Sequence, residues 1–398
     1  MKNSKINLYV EINNLRIIFF AVKHDEQNNL NIINKLDVPI QGIDNNRIIN
    51  FEQIFEAIKK NIYFIEQELN YTFKETILIL ENFTPQFINI SGYRKLNGSQ
   101  ILKENISYIL NILKSYISEI EIKKKIIHIF NSSFYLDKKK INNLPIGLFG
   151  DFYSHELSFI LIKTNDYKNL KNIFEKCNLK IKKILLKSFI KGTYLSDNNL
   201  DAETFFQIKI NKNSSKIFYF ENKSLKFEQD FNFGWQIIIT DVSKVTSLKE
   251  DIIKNIINKI DFSRNISNDD IVEDEYFENS SYVKIKKKLI YEVIFARIKE
   301  ISEILLLKNI NFEYYNRSSK LIFIESDDNT QLQCLKDVYQ KAFSVDATTN
   351  IKFLNNFLND DLLTTADRLV QFGWEKEAIP ITDAKKSLLA RFFDAIFA

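Results

Sequence analysis

Short apolar runs of strand length alternate with stretches of helical spacing along most of the chain. INLYVEI and LRIIFFAV, within residues 6–22, predict two strands joined at Asn13–Asn14, a pair suited to tight turns. A third strand is expected around 30–38. Phe51, Ile54, Phe55, Ile58 and Ile62 recur at helical spacing and predict a helix over 51–69. ETILILENF (75–83) reads as a buried strand. Residues 84–165 read as a separate α+β insertion. It has a strand near 87–91, a helix at 100–117 carrying Ile101, Ile106, Ile109, Leu110 and Leu113, and strands near 126–134 and 156–163 separated by LPIGLFG (144–150). A helix at 166–177 then leads into the strand KIKKILLKS (180–188).

Strands resume at 203–210, 215–221 and 224–230, with a turn at Asn211–Asn213. Helices are expected at 235–246 and 249–260. The acidic stretch SNDDIVEDEYFENSS (267–281) reads as an exposed loop. A long helix over 283–308, a strand at 321–326 and helices at 330–343 and 360–372 follow. EKEAIPI (375–381) is expected to be a linker, and no repeat of fixed period stands out.

The last segment has the sharpest pattern. Thr382 can cap a helix in which Leu388, Leu389, Phe392, Phe393, Ile396 and Phe397 fill one half of the wheel, with Ser387, Arg391 and Asp394 on the other. Lys385 and Lys386 lie one turn upstream, within snorkelling reach of lipid phosphates. Two readings of this amphipathic helix stand: packing on its own domain, or contact with a membrane surface.

Composition narrows the function classes. The 398 residues carry 55 basic and 51 acidic side chains, a balance unlike that of a general nucleic-acid binder. Eight Gly and four Pro are few against averages of about 7% and 5%, while Ile, Asn, Lys and Phe abound, as in an AT-rich coding sequence. Cys177 and Cys334 lie far apart, which suits a reducing compartment. No signal peptide or spanning segment is expected. His24, His128 and His155 have no partner at metal or triad spacing, and no phosphate-binding glycine loop is present. The expectation is therefore no active-site chemistry and no metal.

Several stretches resemble the FtsA family of bacterial cell-division proteins. IIHIFNSSFYLDKK…LPIGLFG (126–150), with the run from Ser158 to Ser188, resembles the end of that family's inserted subdomain and the return to its first lobe. Gly234, Ile239, Thr240, Asp241 and Val242 match its glycine and Ile-Thr-x-Asp-Ile helix. Ala296–Arg297 matches an Ala/Pro-Arg pair, and TTADRLVQFG (364–373) is similar to its closing helix. The resemblance implies an actin-like, two-lobed α/β fold with an inserted α+β subdomain and a C-terminal amphipathic helix. Its divisions here would be 1–83 and 166–196 (first lobe), 84–165 (insertion), 197–228 and 312–374 (second lobe), 229–311 (outer subdomain), 375–381 (linker) and 382–398 (membrane helix).

The nucleotide motifs depart from that pattern. Glu11, Asn13 and Asn14 replace the first phosphate loop. Lys209, Asn211, Asn213, Ser214 and Ser215 replace the second, and Ser326 and Asp327 the adenosine loop. Lost glycines weaken a backbone phosphate cradle, and Lys209 and Lys216 carry the wrong charge for holding Mg²⁺. ATP is therefore no confident cofactor. The resemblance further implies FtsZ as a partner, read by Lys284, Lys286, Lys288 and Arg297. It also implies other divisome proteins, self-association into filaments, and a peripheral place on the cytoplasmic face of the inner membrane, held by Leu388, Leu389, Phe392, Phe393, Ile396, Phe397, Lys385, Lys386 and Arg391. The alternatives are an actin-like scaffold of a type IV pilus or secretion assembly, and an ATPase or kinase on the same fold.

Overall fold

The computed structural model describes residues 5–378 apart from 45–46, 82, 263–265, 278–279, 310, 312–320, 345 and 356. The expected membrane helix at 382–398 lies outside the described residues. The chain divides into two compact units, one of residues 1–198, 222–226 and 359 onward, the other of residues 199–221 and 227–358.

In the first unit β1 (Asn7–Ile12), β2 (Arg16–His24) and β3 (Leu30–Pro39) form an antiparallel meander. A short ribbon, β4 (Ile43–Asp44) with β5 (Arg47–Ile48), leads into α1 (Phe51–Leu69). Asn50 caps this helix by accepting the Gln53 N–H, and Asn70 closes it in the left-handed conformation at φ 45°. The apolar stripe is buried as its spacing requires, and β6 (Glu75–Leu80) then joins β1 in parallel. Asparagine does the work of glycine elsewhere too: Asn28, Asn97, Asn178 and Asn222 also take φ between 49 and 64°.

A second sheet follows, built from β7 (Gln86–Lys95), β8 (Lys124–Leu136), β9 (Lys139–Ile141) and β10 (Phe152–Lys163) in the order β7-β10-β8-β9. Its helix α2 (Lys103–Ile120) buries Ile106, Ile109, Leu110, Leu113 and Ile117. They join a core with Leu157, Phe159 and Leu161 of β10. Then α3 (Thr164–Lys176) precedes β11 (Lys180–Leu186), which completes the first sheet in the order β11-β6-β1-β2-β3. The chain does not continue as strand to 188: α4 (Lys187–Asn198) starts at once, and Phe189, Ile190, Lys191 and Leu195 are buried.

The second unit repeats the plan. Its sheet runs β14-β13-β12-β15-β16, from β12 (Phe205–Ile210), β13 (Ser215–Glu221), β14 (Ser224–Phe231), β15 (Leu321–Ser326) and β16 (Asn350–Phe353). The pair β12–β13 is antiparallel, whereas β12–β15 and β15–β16 are parallel, as in the first sheet. Helices α5 (Gln236–Thr246), α6 (Glu250–Lys259) and α7 (Lys287–Ser302), the last extended by a π turn at Glu303–Leu307, share one core with α8 (Asn329–Cys334) and α9 (Lys336–Phe343).

Two expectations need correction here, and a third is refined. The described residues of the acidic stretch at 267–281 are mostly exposed as expected, but buried Val272 and Phe277 pin it, the latter in a 3₁₀ turn at Asp274–Phe277. The helix expected at 330–343 breaks at Leu335 into α8 and α9, and the strand β16 is additional. The helix expected over 283–308 begins at Lys287, so Lys284 and Lys286 precede it.

The chain returns to the first unit as α10 (Asn359–Gln371). Tyr9 donates to Asp367 at 2.6 Å, His24 Nε2 meets the same carboxylate at 2.8 Å, and Gln371 donates to it at 2.6 Å. This cluster fastens α10 to the first sheet. Residues 375–378 are not a free linker. Buried Trp374 donates its indole N–H to the Lys223 carbonyl at 2.9 Å. The Asn131 N–H donates to the Lys376 carbonyl at 2.6 Å, and the Ala378 N–H to that of Ile129 at 2.8 Å. The segment lies antiparallel along β8, and the Glu377 carboxylate meets the Lys183 ammonium at 3.0 Å.

Burial works against ionisation of Glu377, but His128 and Lys183 more than offset it and hold the carboxyl down at about 2. A depressed acid contributes stability above its unfolded value, near about 4.3, which is lost as pH falls toward the folded one. In a Trp235→Phe background, Trp374 emission is expected to shift to the red between pH 4 and pH 2. Adding Glu377→Gln should flatten that acid transition.

Candidate functional site

Glu11 near the end of β1, Glu81 just past β6 and Lys187 just past β11 stand at the carboxyl ends of three adjacent parallel strands. This is the edge where α/β sheets generally bind ligands. Here the edge is filled by the chain itself. The Lys187 ammonium donates to Glu11 at 2.5 Å and to Glu81 at 2.9 Å. Lys187 opens α4, where the helix dipole disfavours a cation; the two carboxylates offset that cost. Burial, then the charge of Glu81, push the Glu11 carboxyl up, against the pull of Lys187 and of Lys191 one turn along α4. For Lys187 burial alone would lower the ammonium, but Glu81 and Glu11 raise it. The cavity bordered by Glu11, Phe20, Lys187, Ile190 and Leu362 measures about 10 Å³, room for one water.

The adjoining β1–β2 turn is closed in the same way. Asn13 Oδ1 accepts the N–H groups of Leu15 and Arg16, both at 2.9 Å, and Asn13 N–H donates to the Arg16 carbonyl at 3.1 Å. The amides that a glycine loop would turn toward a phosphate therefore bond to a side chain of their own turn. Asn14 shares this turn.

In the second unit the turn between β12 and β13 is also self-bonded. Asn211 N–H donates to the Ser214 carbonyl at 2.8 Å, and Lys212 N–H donates to Asp327 at 3.1 Å. The first-turn amides of α5, an anion site in many folds, are occupied as well. Trp235 N–H donates to the Asn211 carbonyl and Gln236 N–H to the Lys212 carbonyl, both at 3.0 Å. Gly234 makes this approach possible, since a Cβ there would lie 1.9 Å from the Asn211 oxygen. The Trp235 indole donates to Asp327 at 2.7 Å, and Ser215 donates to the Phe233 carbonyl at 2.8 Å. Ser326 accepts the Asp328 N–H, and Asp328 caps α8 through Gln331.

Lys216 meets Asp230 at 3.0 Å, and Lys209 lies beside Lys216 and Glu325 in the sheet register. Asn213 is exposed at the tip of the turn. Of the basic residues assigned to a partner, Lys284 and Lys286 are exposed. Lys288 bonds Asn268, and Arg297 is engaged by Asp241 and Glu300. They do not form one basic helix face.

The sequence pattern predicts the two turns but not the role of Lys187 and Lys191, which it places at the end of a strand and beyond. Their i,i+4 spacing around Phe189 and Ile190 was the available signal. No group of acidic, His or Cys side chains that could hold a metal occurs among the described residues.

No protein-family model matches the chain. Among solved structures it is similar to the PilM-PilN type IV pilus biogenesis complex, at a TM-score of 0.52 and 10% identity, covering 92% of this chain and 98% of that one. In sequence it is similar to cell division protein FtsA of Buchnera aphidicola subsp. Acyrthosiphon pisum (strain APS), 22% identical over all of this chain and 96% of that protein. It is also 20% identical to FtsA of Buchnera aphidicola subsp. Schizaphis graminum (strain Sg), over 94% and 92% of the two chains. Two sheets of one strand order, the first interrupted by an inserted sheet and helix, give the chain an actin-like fold. Along its whole length the sequence is similar to FtsA, and the two turns described above are bonded within themselves.

Lys187→Met is expected to cost about 3–5 kcal/mol in urea unfolding at pH 7, since it strands two carboxylates together. A buried carboxyl with a raised folded value contributes stability below its unfolded value and loses it as pH rises through the folded one. The Lys187→Met defect should therefore shrink as pH falls from neutral toward about 4.3; a defect unchanged between pH 7 and 5 would contradict this account.

Proposed function

We propose that this chain is a cell-division adaptor that works without nucleotide chemistry, tethering FtsZ to the cytoplasmic face of the inner membrane and recruiting later division proteins. Similarity to FtsA along the whole chain supports the division role. The observation that carries the nucleotide half is the set of internal bonds at Lys187, Asn13 and Asp327, which engage the charges and amides a triphosphate and its metal would need. Phosphate contact at the carboxyl ends of β1, β6 and β11 would require breaking the Lys187 ion network. The likeness to the pilus complex is one of fold, and it gives the scaffold alternative no separate support.

An acidic FtsZ tail would be read by Lys284 and Lys286, exposed before α7, rather than by the engaged Arg297. Membrane attachment would rest on the apolar half of the segment from Leu388 to Phe397. No helix among the described residues is long and apolar enough to cross a membrane.

Titration calorimetry with ATP and Mg²⁺ is expected to give no binding tighter than the millimolar range; a micromolar constant would overturn the nucleotide half. Phe392→Asp with Phe393→Asp should release the full chain from anionic vesicles while leaving its urea midpoint unchanged. A lowered midpoint, with a parent protein that ignores vesicles, would place that segment in the core.

A further inference from the structure

One end of the inserted sheet displays large apolar side chains that its own core does not use. Tyr93 near the end of β7 is 68% exposed and stacks on Phe152 at the start of β10, at 5.2 Å between ring centroids. Phe149 is 70% exposed, and Leu148, Ile146 and Leu102 are exposed beside it. These groups sit on a fixed frame. Ile101 N–H donates to the Leu148 carbonyl at 2.8 Å and Gly147 N–H to that of Ile101 at 2.9 Å. The Gln100 side chain donates to the Gly147 carbonyl at 2.8 Å. Leu96 N–H reaches the Asp151 carbonyl at 2.8 Å, and Gly150 N–H that of Ser99 at 3.3 Å. The loops around 96–102 and 144–151 are thus zipped together, with Leu96 and Ile101 in the core and Leu102, Ile146, Leu148 and Phe149 outward. A patch of this kind on a rigid frame marks an interaction surface.

The charges around it have one predominant sign. Lys138, Lys139 and Lys140, at the β8–β9 turn, are exposed at the same end of the sheet, where Asp137 N–H bonds the Phe152 carbonyl at 2.8 Å. Lys95 and Lys103 are exposed on the other side. Against these stand Glu104, Asp151 and Asp137, the last engaged by the Asp151 and Phe152 amides at 2.9 and 2.8 Å. Aromatic rings with flexible lysines around them fit a bilayer interface, where rings sit at the headgroup level and ammonium groups reach phosphates.

We propose that this end of the inserted sheet is a second membrane contact, directed to anionic lipid headgroups. It extends the membrane half of the functional reading but rests on different residues. Interfacial binding grows with the apolar area buried and with attraction to anionic lipids, so a second contact strengthens attachment.

Flotation of the 398-residue chain with phosphatidylglycerol–phosphatidylethanolamine vesicles tests the proposal. Leu148→Asp with Phe149→Asp is expected to lower partition about tenfold or more, by loss of the second link. Lys138, Lys139 and Lys140 changed together to Gln should lower it on anionic vesicles and reduce its salt dependence, with no change on purely zwitterionic ones. Equal urea midpoints confirm that the variants fold. Loop and lysine variants that partition like the parent would overturn the proposal. So would a parent that associates with itself in sedimentation, through a contact the loop variant breaks without altering partition; the face would then join two copies. Loss of binding in the loop variant but not in Phe392→Asp with Phe393→Asp would leave this contact standing and remove the terminal one. A parent that ignores anionic vesicles would remove both.

Discussion

The ammonium of Lys187, held between Glu11 and Glu81, is the interaction on which the first unit depends. Three parallel strands end there side by side, and α4 begins there with a cation at the wrong end of its dipole. Charge of one sign must be matched at such an edge, and an actin-like fold can match it with a metal and a nucleotide. Here an ammonium and two carboxylates of the chain itself meet at that edge, which is the basis of the proposal that no nucleotide is needed.

The second unit reaches the same end by different means. Its turn carries lysine and asparagine where glycine would bring amides to a phosphate, and those amides and carbonyls bond Asp327 and the start of α5. Gly234 is retained where only a hydrogen fits against the Asn211 carbonyl. Left-handed positions are shared between asparagine, as at Asn70 and Asn222, and glycine, as at Gly98 and Gly147.

Much of the fold was legible because its elements carry their own periodicity. The β1–β2 hairpin, α1 and the β12–β13 pair followed from apolar spacing and turn residues alone. What escaped had no local signature. Lys187 looks like the solvated end of a strand until β1 and β6 bring two carboxylates to it. His24 meets Asp367, its partner on α10, only in three dimensions. The break at Leu335 and the burial of Phe277 depend on packing within the second core, which short windows do not record. For the site, the turn residues were legible in the sequence, but the ion pairs beside them required the strand order.

The backbone bonds of Lys376 and Ala378 to β8 also decide where mechanical load enters the molecule. Whatever the C-terminal segment grips, tension along it arrives first at an edge of the inserted sheet, beside Glu377 and Lys183, before α10 feels it. Because the segment runs antiparallel to β8, a pull along the strand axis shears these bonds together, whereas a pull away from the sheet opens them in turn. The direction of traction, rather than its size alone, would then govern how firmly the terminal segment holds.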